Sequence, residues 1–201
     1  MRIVNEVRAE DLSKPTPCAG WTLADLLTHM TVQHYGFAAA AEGDGANLGH
    51  WQPVQLDARL DSQLDARLDA RLDRDRLVAG YALAADRVTD AFAAAGVLDR
   101  KFSLPEVSTA MLFPARQAIG FHLVDYVVHG WDVARSLGLS YDIDPEVLGA
   151  ALVVAQAVPD DHERRGRPGA PFAPRLGSAS DEPLDRVLTL LGRDPAWPLV
   201  A

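Results

Sequence analysis

The chain has 201 residues, 48% of them hydrophobic and 23% charged, proportions ordinary for a soluble globular protein and enough for one domain with a full core. A formal net charge of −9, with Lys14 and Lys101 as the only lysines and no basic cluster, argues against nucleic-acid phosphate as a partner. The lone Cys18 leaves no intrachain disulfide, the first eight residues hold no apolar leader, and the apolar run 150–158 falls short of the roughly 20 residues that span a bilayer, so the expectation is a cytoplasmic protein without a membrane partner.

Thr22 followed three positions later by Asp25 reads as a capping box, with Asp in the place usually taken by Glu or Gln. It opens a helix that runs to about Glu42 and stops at Gly43-Asp44-Gly45. Leu23, Leu26, Leu27, Met30, His34, Phe37 and Ala41 form its apolar stripe, and His29 lies beside that stripe with Gln33. Residues 43–55 read as a loop. A repeat follows: Leu56-Asp-Ala-Arg, Leu60-Asp-Ser-Gln, Leu64-Asp-Ala-Arg, Leu68-Asp-Ala-Arg and Leu72-Asp-Arg. A period of four drifts by about 40° per step on an α-helix, so these leucines wind around it rather than forming one face. Asp and Arg two positions apart gain little from each other. The segment 56–76 therefore reads as an inserted repeat, helical or partly ordered, with a partner-binding helix as the alternative.

A better amphipathic pattern follows in Leu77, Tyr81, Ala84, Val88 and Phe92, ending near Gly96. Residues 97–110 alternate weakly around Pro105 and read as a loop or short extended piece. Pro114 suits the first turn of the next helix, which continues to about Leu137 with Gly138 after it. Gly120 and Gly130 lie inside that helix at a cost in helix propensity, which predicts close approach by another helix or a ligand. Asp144-Pro145 begins a short helix through Val158. The stretch 159–179 is rich in Pro, Gly and Arg and reads as a loop. Ser180 is a candidate cap for a last helix over 183–191, closed by Gly192 and followed by Arg193-Asp-Pro-Ala-Trp197. Four substantial helices with long connections and no convincing strand predict an all-α bundle over 1–201, with 159–201 as a C-terminal loop and short helix.

The chemistry concentrates in the helix after Pro114. His122, Asp125 and His129 fall within a sector of about 60° on one side of it, and residues four apart stand a turn above one another. His29 on the earlier helix is a second-helix partner. Two histidines and one carboxylate, His29, Asp125 and His129, make a three-ligand divalent-metal site of the kind that keeps a position open for chemistry. His122 is a candidate fourth ligand or proton carrier, or else lines the pocket. Asp132 is a candidate for orienting a ligand, and Arg193 for holding a substrate carboxylate, a structural ion pair being the alternative. Trp21 and Trp131 read most simply as core aromatics, with pocket wall as the alternative, and Cys18 as packing, with a nucleophile as the alternative. No Gly-x-Ser-x-Gly elbow, phosphate-cradling loop or dinucleotide fingerprint is present.

Three segments carry a resemblance: Pro15-Thr-Pro-Cys-Ala-Gly-Trp-Thr with His29 downstream, Val128-His-Gly-Trp-Asp-Val-Ala-Arg-Ser-Leu-Gly138, and Leu191-Gly-Arg-Asp-Pro-Ala-Trp197. Together, over about residues 11–198, they resemble the actinobacterial proteins related to mycothiol-dependent maleylpyruvate isomerase, within the DinB/YfiT-like superfamily of metal-binding four-helix bundles. The resemblance implies a divalent metal, zinc first and nickel, manganese or iron as alternatives, on His29, Asp125 and His129. It also implies mycothiol as a possible thiol cofactor and a small electrophilic molecule as substrate of an isomerase or thiol transferase. Asp125 departs from the Glu of the isomerase branch. The chain is also too short for the C-terminal domain that supplies that enzyme's catalytic arginine. Only about fourteen residues precede the first motif, where the family has a full bundle helix, which makes a homodimer that completes the bundle plausible. Two readings stay open beside the thiol enzyme: a metal-binding or interaction module without catalysis, and a hydrolase or lyase of secondary metabolism using metal-activated water.

Overall fold

The computed structural model describes residues 2–53, 70–167, 172–177 and 180–198. A single helical turn, α1 (Arg2–Asn5), and a 3₁₀ turn at Ala9–Asp11 stand where the resemblance called for a full first helix. The capping box at Thr22 forms: Thr22 Oγ1 accepts from the Asp25 N–H at 3.3 Å, and Asp25 Oδ2 accepts from the Thr22 N–H at 2.9 Å. It starts α2 (Leu23–Glu42), which Gly43 ends in the left-handed conformation, φ +98°. All seven residues of the expected stripe are buried.

The helix expected from Leu77 begins earlier, as α3 (Ala70–Ala93), within the last units of the repeat. The rest of the Leu-Asp-Ala-Arg repeat lies outside the described residues. Residues 97–110 hold a 3₁₀ turn at Val97–Asp99 and β1 (Lys101–Ser103), which pairs antiparallel with β2 (Leu112–Pro114) so that Phe102 faces Phe113. The stretch 97–110, read as a loop or short extended piece, thus holds β1, while β2 lies where no strand was read. Three residues per strand give one inward side chain each, too few to register an alternating pattern. Pro114 ends β2 and caps α4 (Ala115–Leu137), and Gly138 at φ +70° closes that helix.

The expected close approaches at the α4 glycines are present. A Cβ on Gly130 would lie 2.6 Å from the Tyr141 hydroxyl oxygen, and one on Gly120 3.2 Å from Val154 of α5 (Pro145–Ala157). The stretch expected to be loop also contains a helical turn, α6 (His162–Arg165). Its Arg165 guanidinium donates to the carbonyls of Pro159, Ala173 and Leu190, tying that turn to α7 (Pro183–Leu190).

The result is an all-α bundle with one small hairpin. Leu23, Leu26, Leu27 and Met30 of α2 pack with Val4, Val7, Tyr81 and Val133 at one end. Phe37, Trp51, Val88, Phe102 and Phe113 fill the other. A third apolar cluster joins Val124, Val128 and Trp131 of α4 to α5 and α7. The α2–α4 contact carries the polar residues between these clusters, and that position decides the site.

Gly36 marks the tightest helix contact. A Cβ there would overlap the Trp51 ring, which is fixed by its Nε1–H donating to the Gly45 carbonyl at 2.9 Å. Alanine would gain about 1 kcal/mol of helix propensity, whereas overpacking costs about 1–3 kcal/mol. Gly36→Ala is expected to lower the urea midpoint of unfolding; an unchanged or raised midpoint would show that Trp51 moves freely.

Candidate metal centre

Helix α2 presents His29 and helix α4 presents Asp125 and His129 one turn apart, and one ligand atom from each lies within 4.8 Å of the others. The three residues expected to group therefore do so. The His29 and His129 rings approach edge to face at 5.3 Å between centroids. His129 Nε2 lies 3.4 Å from Asp125 Oδ1. The ring's other nitrogen, Nδ1, meets Asp132 Oδ2 at 2.9 Å. His129 is buried, while His29 and Asp125 are half-buried on the accessible side.

Behind His129 sits a closed polar network. Asp132 has no exposed surface. Arg193 grips it through Nε to Oδ1 at 3.0 Å and Nη2 to Oδ2 at 3.1 Å. The Arg193 Nη2 also donates to Cys18 Sγ at 2.8 Å, and Cys18 Sγ donates to Asp132 Oδ2 at 3.2 Å. Local sequence delivers both flanking residues. Gly192, at φ +77°, turns the chain after α7 so that the Arg193 N–H bonds the Leu188 carbonyl. Thr16 Oγ1 accepts from the Cys18 N–H and fixes the Pro-Thr-Pro-Cys turn. Arg193 thus takes the ion-pair alternative read from the sequence, bound to protein carboxylate and not aimed at substrate. Cys18, His129 and Asp132 also bring ligand atoms within 4.8 Å of one another. The guanidinium on two of those three already supplies the positive charge there, so they serve as the outer support of His129.

Burial lowers the His29 pKa to about 4, against the pull of Asp125. Burial would raise Asp125, but the imidazoles of His129, His29 and His122 together outweigh burial and hold the carboxyl at about 2. Burial opposes a charge on His129 too, yet Asp125 and Asp132 on its two sides push its pKa well above the usual value. Near neutrality the group is therefore a neutral His29, a carboxylate at Asp125 and an imidazolium at His129.

His122 does not join these ligand atoms. It pairs with His34, Nε2 to Nδ1 at 3.0 Å, and stacks on Tyr126 at 4.2 Å. Trp131 is buried, as expected of a core aromatic. Trp21 takes the pocket-wall alternative: it is 37% exposed, with its ring 4.8 Å from His29. Its place ahead of the Thr22 cap puts it on the turn, not on the buried stripe. Two features had no sequence signal. Gln33, one turn beyond His29, donates to Glu106 Oε2 at 2.6 Å. Although Glu106 is exposed as a residue, desolvation of its carboxyl raises its pKa. His34 was assigned only to the apolar stripe; among the described residues its Nε2 is buried without a partner, an omission that costs about 1–3 kcal/mol.

The chain belongs to the family defined by the mycothiol maleylpyruvate isomerase N-terminal domain, whose model matches residues 1–134. Uncharacterized proteins of Mycobacterium tuberculosis strains CDC 1551 and H37Rv are each 31% identical over 194 residues, covering 95% of this chain and 90% of the relative. No solved structure matches the chain. His29, Asp125, His129 and Asp132 lie within the matched residues, and Arg193 lies beyond them.

These proton affinities fix a pH profile for chelator-treated protein. In the fold, His29 and His122 titrate near 4 and His34 near 2, burial being the main cause in each, against 6.5 unperturbed. From pH 6.5 down to 4 the unfolded chain binds up to three protons that the folded chain refuses, so stability falls with pH. His129 contributes oppositely: its stabilisation is complete below pH 6.5 and is lost as pH rises through its raised folded value. Urea midpoints are expected to peak at about pH 6.5, and His34→Phe should make the acid limb shallower by about one proton. A flat profile from pH 7 to 5 would contradict this assignment.

Proposed function

We propose that the protein binds a divalent metal through His29, Asp125 and His129 and uses a low-molecular-weight thiol, mycothiol, on a small electrophilic molecule, as an isomerase or thiol transferase. The observation that carries this reading is the convergence of two imidazoles and a carboxylate with an accessible side and a buried carboxylate on the far nitrogen of His129. Two nitrogens and an oxygen suit zinc first, with nickel, manganese or iron as alternatives. A histidine ligand that donates its other N–H to a carboxylate is the usual outer support of such a site. Family membership supports the thiol.

Each residue has a separate task. His29, kept neutral by burial, offers a lone pair at physiological pH. Asp125 stays ionised. His129 must release its proton to ligate, so metal affinity should rise with pH. Asp132 holds the His129 Nδ1–H in place, and Arg193 holds Asp132. Trp21 narrows the approach beside His29. A divalent ion bound there would favour the thiolate form of a thiol at neutral pH.

Metal content by plasma mass spectrometry after dialysis against Zn²⁺, Ni²⁺, Mn²⁺ or Fe²⁺ tests the site. One ion per chain in the wild type and none in His129→Ala is the expected outcome; a metal-free wild type would end the proposal. Asp132→Asn should keep the ligands but weaken zinc affinity by about 10–100-fold in a competition assay. An unchanged affinity would reduce Asp132 and Arg193 to a structural ion pair. The thiol is tested separately, by adding mycothiol to the cobalt-substituted protein. A sulfur-to-cobalt charge-transfer band supports it, and an unaltered spectrum removes the thiol while leaving the metal.

A further inference from the structure

We infer that Glu106, braced by Gln33, is a specificity-determining residue at the rim of the metal centre, and that it selects a thiol carrying an ammonium, amide or hydroxyl donor a few bonds from its sulfur. The inference rests on the metal and thiol reading above and adds the class of thiol.

The position follows from the run of two helices. His29 meets His129 and Phe37 meets His122, so α2 and α4 are antiparallel across the centre. Trp21 stands against His29 at the end nearer the α2 cap. Gln33 lies one turn past His29, about 5 Å along the helix axis and toward the Asp125 end. It keeps close to the same side of α2, because four residues rotate a helix by only about 40°. Its Nε2 donates to Glu106 Oε2 at 2.6 Å. The Glu106 carboxyl is also near enough to respond to the Asp125 charge. The centre therefore has a rim residue at each end, aromatic at Trp21 and acidic at Glu106. The oxygens of Glu106 are not among the ligand atoms that converge, which places the residue to meet what the ion holds rather than the ion.

The loop that carries Glu106 keeps it in place. Leu104 is 1% exposed and packs in the cluster of Phe102 and Phe113. Its carbonyl accepts from the N–H groups of Val107 at 3.0 Å and Ser108 at 2.9 Å. Pro105 takes the second position of that turn and Glu106 the third. Gln33 is itself buried, so the amide that grips the carboxylate is fixed as well.

Chemistry narrows the ligand. Gln33 occupies Oε2, and among the described residues no partner engages Oε1. A carboxylate oxygen accepts hydrogen bonds and donates none. Burial of the carboxyl, with the Asp125 charge beside it, raises the Glu106 pKa against the Gln33 bond. A donor placed there, above all a cationic one, relieves that cost, whereas an anionic group adds to it.

Glu106→Gln tests this while keeping the brace: its amide oxygen can still accept from Gln33, and its NH2 group turns the free acceptor into a donor. The cobalt-substituted full chain is titrated with propanethiol, cysteamine and mercaptoacetate, and each dissociation constant is read from the sulfur-to-cobalt band. Relative to propanethiol, cysteamine is expected to lose about tenfold in the variant and mercaptoacetate to gain. Cobalt content and propanethiol affinity should not change. The same relative affinities in wild type and variant, or an equal change for all three thiols, overturn this inference and leave the thiol reading standing. If cobalt is bound and none of the three gives the band, the thiol reading falls and this inference with it. A chain that binds no metal removes both together with the site.

Discussion

Everything at the centre depends on one buried carboxylate. Asp132 has no exposed surface, and a charge in that position is costly unless every lone pair is used. Arg193 takes two of them in a planar grip, His129 Nδ1 a third direction, and Cys18 shares the Oδ2 side. The same bonds fix the rotation of the His129 ring and point Nε2 toward Asp125 and His29. Removing either half of the Asp132–Arg193 pair would leave the other as an uncompensated buried charge, worth about 3–5 kcal/mol in such settings. Site geometry and fold stability are therefore one problem in this chain.

That dependence reaches across the sequence. The family match ends at residue 134, yet the guanidinium that anchors Asp132 comes from residue 193, and the thiol beside it from residue 18. Arg193 is placed by the α7 cap at Gly192, and α7 is held to α5 and α4 by their shared apolar cluster. The C-terminal segment thus acts as the back wall of a cluster whose candidate ligands, His29, Asp125 and His129, all lie earlier. Arg193 braces Asp132 and, through it, His129.

How much of this was legible in the sequence follows from the range of the interaction involved. The α2 cap, its glycine stop, its apolar stripe and the Asp125/His129 pair are local, and each reads directly from residues three or four apart. His29 was legible because a polar residue beside an apolar stripe invites a partner on another helix, and because the resemblance marks it as a ligand position. The Asp132–Arg193 pair spans 61 positions, so spacing offers no clue to it, and Arg193 suited a substrate carboxylate equally well on paper. Trp21 read as core because tryptophan usually is, whereas its position ahead of the cap leaves it on the rim. The strands β1 and β2 were too short to alternate, and Tyr81 passed as one more apolar tooth of an amphipathic helix. His34 was placed correctly in the core, but burial alone does not show whether both its nitrogens are satisfied.

Charge arithmetic limits what the centre can hold. As folded, Asp125 and Asp132 are balanced by the His129 imidazolium and the Arg193 guanidinium, so the buried group is neutral overall. Replacing the His129 proton with a divalent ion, as proposed, would leave one net positive charge in a low-dielectric setting. That surplus favours an anionic ligand on the accessible side, and a thiolate meets it.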